Sequence, residues 1–196
     1  MTEKLTFAGN VRREMEGNTR VTGKEQYYTP PSVAKAILSR VLESNPDFSQ
    51  RTFLEPAGGN GVFIDTAREF GFDEIVSVDI EPKHADVVRA DFLKTTLNLK
   101  GAICVTNPPF GRNNALSVPF FNKAAEYCDL IAFIVPKSWH KWSVSNRLSL
   151  DFHLVDSWDL HIDYLDDAGN ESHGVGNLKT CVQVWRRGSE PRTKVD

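Results

Sequence analysis

The sequence predicts an α/β fold: a mostly parallel sheet with helices on both faces, completed by an antiparallel hairpin. Three observations predict it. Strand-like runs such as "LIAFIVP" are apolar at almost every position, as strands covered on both faces are. These runs alternate with helical periodicities such as Val33, Ile37 and Val41. The last two runs, "FHLVDSWDL" and "LKTCVQVWRR", have no helical pattern between them. They therefore form a hairpin, which sets the final strand antiparallel at or near the sheet edge.

Each element has a local reason. The first 25 residues are polar, carry Arg12, Arg13, Arg20 and Lys24, and read as a loosely held arm. "YYTPPSVAKAILSRVLESNP" reads as a helix, begun at Thr29 and the two prolines and stopped by Asn45 and Pro46. "RTFLEPAGGNGVFIDTAREFGF" reads as strand, glycine turn and helix, with Phe63, Ala67 and Phe70 on one face and Gly71 closing it. "EIVSVDI", "DVVRADF" and "AICVTNPPF" are three short strands rich in valine and isoleucine. "SVPFFNKAAEYC" is a helix, and a glycine- and aspartate-rich loop from His161 to Asn177 separates the final strands. No domain boundary interrupts residues 26–188, so they form one domain between the arm (1–25) and a tail (189–196).

Composition narrows the function classes. The chain has 196 residues, enough for one substantial core, and a net charge of -3, which gives nucleic acid no global attraction. Binding a polyanion would require a local basic patch. The three cysteines form no C-x-x-C pair and the five histidines have no ligand spacing, so no metal is expected. No signal-peptide core or membrane-length apolar stretch is present, and a cytoplasmic protein without membrane contact is expected.

Two motifs carry chemistry. In "FLEPAGGNGVF", Gly58, Gly59 and Gly61 let the backbone turn tightly at the positive end of a helix, with Glu55 and Pro56 just before. Asp79 ends the next strand about 20 residues on, where a ribose diol would be held. Ile64 stands where a dinucleotide fingerprint has its third glycine, and Glu55 sits badly with a pyrophosphate. An adenosine-bearing cofactor with a cationic amino-acid tail suits these residues better. Asp91 would accept from an adenine amino group, and Phe92 would lie on the ring. In "VTNPPFG", Pro108 and Pro109 remove two donors and stiffen the chain. They leave the Asn107 amide, a proline carbonyl and the Phe110 ring to face something flat that bears an amino group.

Together these residues resemble the S-adenosylmethionine-dependent methyltransferases with a Rossmann-like fold. Within them, the chain is similar to the gamma-type adenine-N6 methyltransferases of bacterial restriction–modification systems and phages. The resemblance covers residues 26–186. "QYYTPPSVAKAIL", "LEPAGGNG", "VDIEP", "ADFL" and "NPPF" match that family's segments in order. It implies a mostly parallel seven-stranded sheet and S-adenosyl-L-methionine as cofactor. By that resemblance Tyr28 and Thr29 close over the methionine end, while Glu55, Pro56, Ala57, Gly58, Gly59 and Gly61 hold its amino and carboxylate groups. Asp79 and Ile80 would take the ribose side, and Asp91 and Phe92 the adenine. Asn107, Pro108, Pro109 and Phe110 would be catalytic, with Asn107 also bordering the cofactor. Asn107 Oδ1 and the Pro108 carbonyl accept from the target amino group, and Phe110 stacks on the base.

The target adenine must be flipped out or unpaired to reach such a pocket. "PKSWHKWSVSNR" interleaves cations with rings, and Lys137, Trp139, His140 and Lys141 are candidates for substrate binding, beside Trp142 and Arg147. The expected partner is nucleic acid, DNA before RNA, with a specificity subunit or a second copy supplying target recognition that this chain has no segment for. The acidic loop 161–177 reads as a flap or partner surface. Alternatives are an RNA adenine methyltransferase, a protein glutamine methyltransferase, and a cofactor-binding subunit without turnover.

Overall fold

Alternate residues of the central strands enter two separate apolar cores, one on each face of a seven-stranded sheet. A computed structural model describes residues 11–12, 28–160 and 179–195. The helices are α1 (Pro31–Ser44), α2 (Val62–Glu69), α3 (Ser117–Ala124) and the short α4 (Trp142–Ser145). The early strands are β1 (Val11–Arg12), β2 (Phe53–Glu55), β3 (Ile75–Asp79), β4 (Val88–Arg89) and β5 (Thr96–Leu97). The later ones are β6 (Ala102–Thr106), β7 (Cys128–Pro136), β8 (Phe152–Leu160) and β9 (Thr180–Arg187).

The sheet order is β4-β3-β2-β6-β7-β9-β8. The first five strands are parallel, β9 runs antiparallel to β7, and β8 antiparallel to β9. The final strand thus lies one place in from the edge, and β8 is the edge itself. Cys181 to Val184 of β9 are almost wholly buried, whereas Leu154 and Val155 of β8 are 44% and 50% exposed. β9 is covered on both sides by neighbouring strands, and β8 keeps one edge and its mixed face toward solvent.

On one face α1 and α2 cover Phe53, Ile103, Val105, Leu130, Ala132, Ile134, Val182 and Val184. On the other, α3 and the segments after β4 and β7 cover Leu54, Cys104, Ile131, Phe133, Val135, Cys181 and Trp185. The period-2 split follows from the pleat. Helix α1 buries Ala34, Ile37, Leu38 and Val41 at helical spacing. It starts with Pro31 in its first turn, and Asn45 Nδ2 donates to the Val41 carbonyl at 3.0 Å where it ends.

Some expectations change. The run "DVVRADF" forms only the two-residue β4 before a 3-10 turn over Phe92–Lys94, because Asp91 accepts from Leu93 N and caps that turn. "PKSWHKWSVSNR" is a 3-10 turn (Lys137–His140) followed by α4. Of the arm expected to be loose, the described residues are β1 alone, which pairs with β5, Val11 opposite Leu97 and Arg12 opposite Thr96. The described part of the tail docks back: Arg192 donates to the carbonyls of Ser145, Leu148 and Phe152, and Val195 and Asn146 exchange two hydrogen bonds. The loop expected to act as a flap, 161–177, lies outside the described residues.

The chain leaves β2 outward to β3 and β4, then returns to β6 on the other side of β2. The carboxyl ends of β2 and β6 therefore flank the point where the strand order reverses, which is where open α/β sheets form a crevice.

Candidate active site

Glu55 and Thr106 end those two strands, and both are buried, at 1% and 0% exposure. Thr106 Oγ1 and the Ala57 amide both donate to Glu55 Oε1. Burial nevertheless dominates and pushes the Glu55 carboxyl up to about 8, the two hydrogen bonds pulling it back and the Asp79 charge adding to the rise. This is a buried acid at the point where the strand order reverses, suited to a cation that would restore its charge. Thr106 was not singled out from sequence; its place at the end of the strand beside Glu55 was the available signal.

The glycine turn is closed by the segment after β3. Asp79 accepts from Gly59 N at 2.9 Å and from Glu81 N at 2.7 Å, and Lys83 N donates to the Gly59 carbonyl at 2.9 Å. Gly61, with φ of 86°, takes the left-handed conformation before α2, and a Cβ there would stand 2.3 Å from the His84 ring. A Cβ on Gly58 would stand 2.2 Å from Ser77 Oγ. Pro56 and Ala57 complete the turn's near side. The Tyr28 ring lies over Gly59, whose added Cβ would be 3.5 Å from it, and Lys83 Nζ sits 5.3 Å from the ring centroid. Lys83 and His84 also escaped the sequence reading, since nothing local marks a residue that folds over a distant turn.

Ile80, 53% exposed, stands beyond Asp79. Asp91 is half-exposed, with Lys94 Nζ 3.6 Å from its Oδ2. Phe92 departs from expectation. It is 1% exposed and packs in the core against Phe120, centroids 5.4 Å apart, so it has no open face for an adenine ring.

Asn107 to Phe110 leave the end of β6. Asn107 is half-buried, Pro108 buried, Pro109 exposed and Phe110 half-buried. Asn107 Nδ2 lies 3.5 Å from Thr29 Oγ1 as donor, which leaves Oδ1 to accept from elsewhere. That contact joins the Tyr28–Thr29 segment to the tetrapeptide across 78 residues. The Phe110 carbonyl accepts from the amides of Leu116 and Ser117. The return is tight: Gly111, Asn113 and Asn114 have φ of 65°, 54° and 62°. A Cβ on Gly111 would be 2.9 Å from Leu116 Cγ.

Of the expected substrate residues, Lys137 is ion-paired with Asp159, His140 and Lys141 are exposed, and the His140 ring lies 3.4 Å from Gln183 Nε2. Trp139 departs from expectation: it is 1% exposed, with its ring edge-on to Phe121 at 5.9 Å. It cannot receive a base. Trp142, three residues on, is 58% exposed. Among the described residues no cluster could hold a metal ion, the three cysteines are free and buried, and no helix is long and apolar enough to cross a membrane.

Against known proteins, no family model matches the chain. The Type II methyltransferase M.HincII of Haemophilus influenzae is 26% identical over 95 residues, 47% of this chain and 18% of that relative. The chain thus spans under a fifth of that relative's length. Among solved structures, a proposed RNA methyltransferase from Pyrococcus horikoshii superposes with a TM-score of 0.64 at 19% identity, over 83% of this chain and 87% of that one. A proposed class I S-adenosylmethionine-dependent methyltransferase from Listeria monocytogenes gives 0.59 at 12% identity, over 85% of this chain and 64% of that one. The chain has the Rossmann-like fold of the S-adenosylmethionine-dependent methyltransferases and, in its matched stretch, resembles the Type II methyltransferases in sequence.

Proposed function

We propose that the chain transfers a methyl group from S-adenosylmethionine to the exocyclic N6 amino group of adenine in DNA, the base being flipped out or unpaired. One observation carries this reading: a buried acid with a glycine turn and a rigid Asn-Pro-Pro-Phe corner meet where the strand order reverses, joined by the Asn107–Thr29 contact.

The residues fit the cofactor. Glu55, held largely neutral by burial, would face an ammonium group. Gly58, Gly59 and Gly61 add no side chains of their own to the turn, and the exposed Ile80 offers an apolar wall beside Asp79. Tyr28, Thr29, Glu55, Gly58, Gly59, Gly61, Asp79, Ile80 and Asp91 would hold it. Phe92 acts only through core packing. Bound there, the cofactor supplies an electrophilic methyl group.

The rest is done by the corner. An aromatic amine is a poor nucleophile because its lone pair is delocalised into the ring. Asn107 Oδ1 and the Pro108 carbonyl would accept both amino hydrogens and favour a pyramidal nitrogen. Pro108 and Pro109 keep the two acceptors fixed, and Phe110 would hold the base plane. Orientation and electrostatics carry the step with no strong base: the transfer would release the thioether S-adenosylhomocysteine, and the cationic methylated nitrogen is acidic enough to lose its extra proton to solvent.

The test is labelled S-adenosylmethionine with single-stranded DNA, duplex DNA, RNA and protein in separate reactions. Label recovered as N6-methyladenine in DNA supports the reading. Label in RNA alone moves it to the second reading, which the likeness to the Pyrococcus protein favours. Cofactor binding without transfer to any of them refutes turnover.

A further inference from the structure

We propose that Trp142, together with the exposed cations Lys141 and Arg147 of its own segment and Arg112 of the adjoining one, is a docking strip for an unpaired strand of DNA beside the Asn-Pro-Pro-Phe corner. The inference rests on the methyltransferase reading and names its substrate more narrowly.

Charge is segregated. The chain is net acidic, yet residues 111–125 and 130–150 contain no aspartate or glutamate while carrying Arg112, Lys123, Lys137, Lys141 and Arg147. Lys123 and Lys137 are ion-paired with Glu126 and Asp159. Arg112, Lys141 and Arg147 are exposed, and none is ion-paired with an acid among the described residues. A polyanion would meet cations without displacing those partners.

The ring is in place. Trp142 is 58% exposed, more than any other large apolar side chain among the described residues. Its seat is rigid: Asn146 N donates to the Trp142 carbonyl at 2.8 Å, and Val144 N to the Lys141 carbonyl at 2.9 Å. The docked tail holds the same segment through Arg192 and Val195. An aromatic face fixed in advance loses little freedom when a base stacks on it.

The strip adjoins the candidate site. Asn114, four residues beyond Phe110, donates from Nδ2 to Ser138 Oγ at 3.3 Å, and Lys141 N donates to the Ser138 carbonyl. Both segments follow the carboxyl ends of adjacent parallel strands, β6 and β7. Stacking requires an open base face, which a paired strand hides, so the strip selects an unpaired strand.

The test uses the full chain and a labelled oligodeoxynucleotide about 12 nucleotides long, read by fluorescence anisotropy alone and annealed to its complement. Trp142→Ala is expected to weaken single-strand binding about tenfold and Trp142→Phe to restore most of it. Arg112→Gln, Lys141→Gln and Arg147→Gln should each flatten the salt dependence by roughly 0.7 in logarithmic slope. S-adenosylhomocysteine affinity should be unchanged in all five. Unchanged single-strand affinity in Trp142→Ala, tighter binding of the duplex, or preference for RNA of the same sequence overturns the proposal. Methyl transfer to DNA that survives such a result leaves the reaction standing without the strip. A Trp142-dependent strand complex that transfers no methyl group leaves the strip standing and refutes the reaction.

Discussion

Glu55→Gln isolates one buried carboxyl and its response to pH. In the unfolded chain the group titrates near 4.5, and in the folded protein near 8. A raised carboxyl favours the folded state while protonated. That contribution is complete below 4.5 and is lost as pH rises through 8. At about 1.4 kcal/mol per tenfold difference in proton affinity, the loss between about pH 5 and pH 9 is roughly 4 kcal/mol. The group is 1% exposed, so solvent screening removes little of this. Glutamine keeps the shape and still accepts from Ala57 N and Thr106 Oγ1, but does not ionise. Urea unfolding of both proteins at about pH 5, 7 and 9 reads the difference, because titrating groups that do not interact with Glu55 cancel. The stability gap should move toward the glutamine variant by about 4 kcal/mol across that range. A gap constant with pH, or one moving toward the wild type as pH rises, would refute the argument from burial.

Three further outcomes follow. If an ammonium group sits against Glu55, S-adenosylhomocysteine should bind up to about tenfold more tightly per pH unit between about pH 6 and 8, and Glu55→Gln should bind weakly with a flat profile. Calorimetry in buffers of different ionisation heat would count the released proton, and no release contradicts the contact. Asn107→Ala should lower methyl transfer by about 100-fold or more while leaving S-adenosylhomocysteine affinity nearly intact; equal loss of both would mean the residue serves the cofactor instead. Gly58→Ala places a methyl group 2.2 Å from Ser77 Oγ and within 2.9 Å of Val87, so thermal unfolding should show a loss of about 1–3 kcal/mol. A wild-type melting temperature would mean the turn opens more easily than its packing indicates.

The chain sequence by itself determined what depends on near neighbours. Pro31 starting α1, the turn at Gly58–Gly61 and the stiffness of Pro108–Pro109 all follow from backbone chemistry within a few residues. The apolar runs of β6, β7 and β9 specified strands because only a sheet covered on both faces hides every side chain of such a run. What only the tertiary structure decided depends on residues far apart. Phe92 and Trp139 read like ring platforms, yet core space beside Phe120 and Phe121 claimed both, while Trp142 was left outside. The interior place of β9 and the Asn107–Thr29 contact likewise belong to the assembled sheet. So does the raised proton affinity of Glu55, which no local pattern encodes, because the assembled strands and turn exclude water from it and the Asp79 charge adds to the rise.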